Sequence, residues 1–266
     1  MSLFQLLART LRPTSSSATS TFRAIRSTHS PRLDPNFFGS SQRVGLGRRM
    51  YRTYHDFNKT NNMRLIYGIC GLNIGIFLYG NYTEVQARQG HPGPFISYIQ
   101  NMTLSLNGFI REHRYWTAVT SLFAHSNFLH IAGNVISFYY MGSLLARTPG
   151  ISPLALAGIL LGSGLSGSLG WMFLNLQRGG SEHRRALGFS GAVMGVGTIA
   201  AFLYPKTRVA IYGIIPMPLW LLMAGYAFYD GYYVNDQNSR IAHAGHLGGG
   251  AFGVAYYLLR LRGLRF

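Results

Sequence analysis

The sequence is poor in charge. Of 266 residues only 12% are Asp, Glu, Lys or Arg. A soluble domain carries about 25%, so an ordinary cytosolic globule is disfavoured. Acid is scarcer still: 7 carboxylates stand against 24 basic residues, for a formal net charge of +17. The single cysteine, Cys70, excludes an internal disulfide framework and any multi-cysteine metal site. No histidine begins the His-Glu-x-x-His pattern of a zinc protease. Two aspartates within apolar stretches, as an aspartyl dyad needs, are also missing, and Cys70 has no neighbouring histidine to activate it. A basic patch interleaved with aromatics on a folded segment is absent too, which argues against nucleic acid as a partner.

Much of the basic excess lies in residues 1–55, which hold Arg9, Arg12, Arg23, Arg26, Arg32, Arg43, Arg48, Arg49 and Arg52, one acid (Asp34) and no lysine. Serine and threonine are dense around 14–21, and Leu3, Phe4, Leu6, Leu7 and Leu11 alternate with Arg9 and Arg12 as in a short amphipathic helix. Arginine-rich, serine-rich and acid-poor is the composition of a mitochondrial or plastid transit peptide, and no apolar run of secretory type interrupts it. The plainer reading is a disordered basic segment. Residues 56–64 read as a linker, and no apolar run before residue 65 is long enough to make a further crossing.

The whole chain is 48% hydrophobic, and from residue 65 that content is organised in apolar runs. About 20 residues cross a bilayer as a helix. Spans are expected near 65–80, 127–146, 152–176, 188–204, 208–228 and 243–260, followed by a basic tail, 261–266. The expected fold is therefore all-α, a polytopic bundle of six transmembrane helices over 65–260. An even number of crossings puts both termini on one side. Retention of Lys and Arg on the inner side, together with the leader, places those termini in the mitochondrial matrix and the opposite face toward the intermembrane space. The stretch 81–126 is too apolar for a solvated loop and reads as a segment lying in the interface, where Tyr115 and Trp116 are favoured.

Polar side chains inside spanning helices are costly and are functional candidates by default. His130 and Asn134 share one face of the second span, four residues apart. Ser190 opens the fourth span between Gly188 and Gly191, and His243 and His246 open the sixth. Asn73 and Asn175 complete the amides. Gly191 with Gly195, and Gly249 with Gly253, are spaced for close helix contact, which would bring the fourth and sixth spans together with Ser190 and His246 at similar depth. A histidine within reach of a serine supplies the base its hydroxyl lacks. The seven acids all fall outside the interiors of these spans, so the chemistry expected is a serine–histidine dyad without a buried carboxylate. His130, Asn134 and the Ser190 N–H would serve as oxyanion donors.

Three segments carry a resemblance: His125-Ser126-Asn127-Phe128-Leu129-His130-Ile131-Ala132-Gly133-Asn134, then Gly188-Phe189-Ser190-Gly191, then Gly245-His246-Leu247-Gly248-Gly249 with Gly253. Together, in this order, the sequence resembles the rhomboid intramembrane serine proteases, and a mitochondrial member in particular. The resemblance implies Ser190 as nucleophile, His246 as general base, and His130 and Asn134 as oxyanion stabilisers, with no metal and no cofactor. His243 and His125 are expected to be structural. Arg114-Tyr115-Trp116 stands where the family often has Trp-Arg in the first loop. Implied partners are single-span or polytopic membrane-protein substrates and the bilayer of the mitochondrial inner membrane; nothing in the sequence sets an oligomeric state. The alternative is a non-catalytic rhomboid-like protein that binds membrane clients.

Overall fold

A computed structural model describes residues 40–179, 184–211 and 214–263; residues 1–39, most of the expected transit peptide, lie outside the described residues. The chain divides into residues 1–47 and a larger unit, 48–266. The elements in order are α1 (Ser40–Arg88), α2 (Gly93–Met102), α3 (Leu106–Ile110), α4 (Thr117–Thr120) with a 3₁₀ turn (Ser121–Phe123), α5 (Phe128–Ala146), α6 (Pro153–Gln177) and α7 (Ser190–Leu203). They continue with β1 (Arg208–Ile211), β2 (Ile215–Pro218), α8 (Leu219–Tyr233), α9 (His243–Tyr256) and a π-helical turn (Tyr257–Leu261).

Local chemistry sets the helix starts. Asn127 caps α5 by accepting the His130 N–H at 2.9 Å, and Ser152 caps α6 by accepting the Ala155 N–H at 3.2 Å, with Pro153 at the first helical position. Among the described residues three helices are long and apolar enough to cross a membrane, Arg49–Arg88, Phe128–Ala146 and Pro153–Gln177; Ser190–Leu203 is apolar but shorter.

Helices α6, α7 and α9 form the centre and touch through backbone. A Cβ on Gly167 of α6 would stand 2.8 Å from the Gly245 carbonyl of α9, and one on Gly253 of α9 would stand 2.6 Å from the Gly195 carbonyl of α7. Around this seam the apolar core gathers Ile66 of α1, Phe138 and Leu145 of α5, Leu156 and Ile159 of α6, and Val196 and Ile199 of α7. Asn62, fully buried on α1, donates to the carbonyls of Ala146 (3.2 Å) and Ile151 (2.9 Å), which ties α1 to the α5–α6 turn.

Four sequence expectations need correction. Residues 56–64 are not a linker but part of α1, which runs well before residue 65. The stretch 81–126 is not one loop: it holds the end of α1 and three short helices, of which α3 and α4 dock on α6 and α2 packs on α4, with Leu104 and Leu106 packed on Trp171 and Met172. This docking does without Trp-Arg. Arg114 pairs with Glu112 and donates to the Gln100 carbonyl at 3.2 Å, while the Trp116 indole donates to Asn101 at 3.2 Å. The segment 208–228 is not one helix, because its first half is an antiparallel hairpin pairing Arg208 with Pro218 and Val209 with Met217. The fold is thus mostly helical rather than all-α. Pro216 and Pro218 cannot donate inside a helix, so α8 starts only at Leu219 and runs to Tyr233. That shift matters for the site.

Candidate active site

Ser190 is the first residue of α7. Ahead of it Gly188 has φ +125°, open to glycine alone, and a Cβ there would lie 2.7 Å from His130 Nε2. The Gly188 N–H donates to the Ser121 carbonyl at 2.8 Å, and Ala186 exchanges backbone hydrogen bonds with Leu104 at 2.8 and 2.9 Å. The approach to Ser190 is therefore pinned to the α3–α5 region. The first helical bond of α7 runs from the Val193 N–H to the Phe189 carbonyl. The N–H groups of Ser190, Gly191 and Ala192 thus come before the ladder, at the positive end of the helix.

His246 lies on the first turn of α9 and its Nε2 stands 2.8 Å from Ser190 Oγ. The backbone contacts of α7 and α9 make this possible, since helices separated by ordinary side chains would hold the two groups apart. The other ring nitrogen, Nδ1, is 3.1 Å from both carboxylate oxygens of Asp230. Asp230 is 1% exposed, in the last turn of α8. The expectation of a dyad without a buried acid is corrected here: the hairpin moves the helix along the chain, and Asp230 falls inside it. A buried carboxylate needs donors on both oxygens, and His243 supplies a further one, its Nδ1 2.6 Å from Asp230 Oδ1. His243 Nε2 in turn faces Ser239 Oγ at 2.8 Å, and Ser239 Oγ accepts the Ile241 N–H at 3.1 Å.

A carboxylate in its ionised form only accepts, so each imidazole that bonds it in that form does so through an Nδ1–H and turns a bare Nε2 the other way. For His246 that bare nitrogen faces the Ser190 hydroxyl. For His243 it faces Ser239. Sequence reasoning missed Asp230 and Ser239. The available signal for Asp230 was its place in the aromatic run from Tyr226 to Tyr233, with Pro216 and Pro218 displacing the helix toward it.

The two oxyanion candidates sit differently. His130 lies against Gly188, two residues from Ser190. Its Nδ1 accepts the Ser126 N–H at 3.5 Å and stands 3.2 Å from Ser126 Oγ, which favours a proton on Nε2. Asn134 donates to the His130 carbonyl at 2.8 Å, within its own helix. Asn73 and Asn175 likewise donate to carbonyls one turn back, at Ile69 and Trp171, both 2.8 Å, so each amide is held within its own helix.

His125, in the loop before α5, accepts the Phe189 N–H on Nε2 at 3.4 Å and so holds the residue next to Ser190. Burial, reinforced by the neighbouring His130, pushes its pKa down to about 4. The unfolded chain therefore binds more protons between about pH 4 and 6.5. The contribution is complete above about 6.5 and is lost as the pH falls toward 4, on the order of 3 kcal/mol in total. Thermal unfolding in detergent is expected to show a midpoint that falls from pH 6.5 to 4.5, with a shallower fall in His125→Asn; identical slopes would contradict this role.

A narrow cavity of about 30 Å³ opens beside Ser190 and His246 against Leu122, Gly167 and Trp171, enough for a water. A second cavity that His246 lines, of about 330 Å³, is bounded by Met194, Phe202, Trp220, Met223 and Val254.

The family model described as Rhomboid domain matches residues 112–263, which takes in all three segments of the site. The chain is 27% identical over 235 residues to "RHOMBOID-like protein 12, mitochondrial" of Arabidopsis thaliana, covering 84% of this chain and 66% of that protein. It is 22% identical over 200 residues to "Rhomboid protein 1, mitochondrial" of Saccharomyces cerevisiae, covering 74% of this chain and 54% of that protein. This chain thus spans between about half and two thirds of the length of these two relatives. With a family match over more than half of its length, the chain belongs to the rhomboid family.

Proposed function

We propose that the protein is an intramembrane serine endopeptidase of the mitochondrial inner membrane, with Ser190 as nucleophile, His246 as general base, and Asp230 holding His246. It hydrolyses peptide bonds in or near the transmembrane helices of single-span or polytopic membrane proteins. Helices α1, α5, α6, α7, α8 and α9 cross the bilayer, with both termini in the matrix and the site facing the intermembrane space. Names of the two relatives and the composition of residues 1–55 support the compartment. The observation that carries the reading is the 2.8 Å approach of His246 Nε2 to Ser190 Oγ.

In the reaction His246 Nε2 takes the hydroxyl proton as Ser190 Oγ adds to the scissile carbonyl. The resulting oxyanion lies at the N-terminus of α7, within reach of the N–H groups of that first turn, with the His130 Nε2–H and the second amide hydrogen of Asn134 as further donors. His246 then gives its proton to the departing amine, leaving an acyl ester on Ser190. A water, deprotonated by His246, adds to the ester, and the collapse of the second intermediate returns the proton to Ser190 and frees the acid. Asp230 stabilises the imidazolium in both halves. Helix α7 has 14 residues, about 21 Å. The hydrocarbon layer is about 30 Å thick, so Ser190 lies below its surface, reached by water from one end.

Reconstituted in liposomes, wild-type protein is expected to cleave a single-span reporter, and Ser190→Ala to leave it intact. Equal cleavage by the two would refute the assignment. Folded wild-type protein that binds the reporter without cutting it would favour the non-catalytic reading.

A further inference from the structure

Beyond the catalytic groups, the end of the bundle that carries Ser190 holds a cavity of about 270 Å³ between the end of α6, the segment before α7 and the α8–α9 connection. Its lining includes Arg178, Arg184, Arg185 and Arg240, above Trp171 and His243. A guanidinium keeps its charge at any physiological pH. Here none of the four is neutralised by an acid among the described residues. Arg178 donates to the Val234 carbonyl at 2.5 Å, Arg184 to the Gln237 carbonyl at 2.7 Å and Arg185 to Thr103 Oγ1 at 3.1 Å. These acceptors are neutral, and they hold the guanidiniums in place without cancelling charge. Arg240 makes no hydrogen bond among the described residues. The carboxylate on this lining, Asp236, accepts the Asn238 N–H at 2.9 Å. Among the described residues the lining sets four guanidiniums against one carboxylate, and a concave site with that excess of positive charge suits an anion.

Position decides which anion. The cavity adjoins the narrow cavity at Ser190, with which it shares Trp171 and Ala242, so it lies beside the place where a peptide would cross the nucleophile. A lipid phosphate is the competing occupant of the same charges, and the test below separates it from a peptide side chain. We propose that this cavity is a substrate subsite for an Asp or Glu side chain, on the polar segment that flanks the scissile bond. The proposal rests on the protease reading above and adds a charge requirement to it.

The test uses the full chain in neutral phosphatidylcholine liposomes and two reporters that differ only in carrying Asp-Asp or Asn-Asn beside the same apolar helix. Wild-type protein is expected to cleave the acidic reporter about tenfold faster, the effect of one charge-assisted hydrogen bond. In Arg184→Gln/Arg240→Gln the ratio falls toward one, and in Arg184→Glu/Arg240→Glu it inverts in favour of a Lys-Lys reporter. Peptide binding to Ser190→Ala protein, read by fluorescence anisotropy, tests the subsite apart from catalysis. Tighter binding of the acidic peptide, lost in the Gln pair, upholds the subsite even if no reporter is cleaved. Equal binding of both peptides overturns the subsite, with the protease reading intact if cleavage persists. Variants that change the response to added phosphatidylglycerol but not the acidic-to-neutral ratio also overturn it, and assign the cavity to lipid.

Discussion

Asp230→Asn is expected to lower kcat on the order of 10³-fold or more, with KM little changed and the fold retained. Asparagine has nearly the shape of aspartate, so the packing of α8 against α9 survives. What it lacks is a second acceptor. Asp230 now receives an N–H from His243 at 2.6 Å and from His246 at 3.1 Å. An amide offers one oxygen and one NH₂. With the oxygen kept by His243, the NH₂ faces His246 Nδ1, and that ring turns to the opposite tautomer. Its Nε2 then carries a hydrogen toward Ser190 and can no longer take one. Single-turnover cleavage beside a thermal melt separates the chemistry from the fold. A variant with wild-type kcat would mean that Ser190 and His246 suffice and that Asp230 only joins helices.

Gly249→Val acts on the scaffold. A Cβ at Gly249 would be driven into the Gly191 carbonyl, one residue beyond the nucleophile, and no side chain stands between to give way. The α7 and α9 backbones must part, and overpacking of this kind costs about 1–3 kcal/mol or more. The Ser190–His246 approach is lost with it. Extracted Gly249→Val protein is expected to aggregate and to show no cleavage. The neighbour Gly250 is the control: its Cβ would meet only Thr198 Oγ1, at 3.6 Å, so Gly250→Ala is expected to melt like wild type. A stable, active Gly249→Val protein would remove the close seam from the account.

Where hydropathy and helix signals coincide, the sequence located the helices closely. Ser152-Pro153 marks the start of α6, Asn127 that of α5, and Gly188 the irregular turn before α7; each acts through bonds to its near neighbours, visible without tertiary structure. Composition misled around 208–228. Ile211, Ile214 and Ile215 are as apolar in a hairpin as in a helix, and only Pro216 and Pro218 argue for the strand. Overlooking them misplaced α8 and hid Asp230. Ser190, His130, His243 and His246 stand out in the sequence because each is costly in an apolar bundle whatever its partners. Their partners depend on distance between helices, which no local rule supplies: only the fold brings His243 within 2.6 Å of the carboxylate that also faces His246.

The most direct test of the account is fluorophosphonate labelling of the protein in membranes, mapped by mass spectrometry. Such a probe reports a serine whose proton is being withdrawn. The expected result is a single label on Ser190 in wild type, weak in Asp230→Asn and absent in His246→Ala. Label of equal strength in His246→Ala, or a folded wild-type protein that leaves Ser190 unlabelled, would contradict the activation of Ser190 by the imidazole held 2.8 Å away.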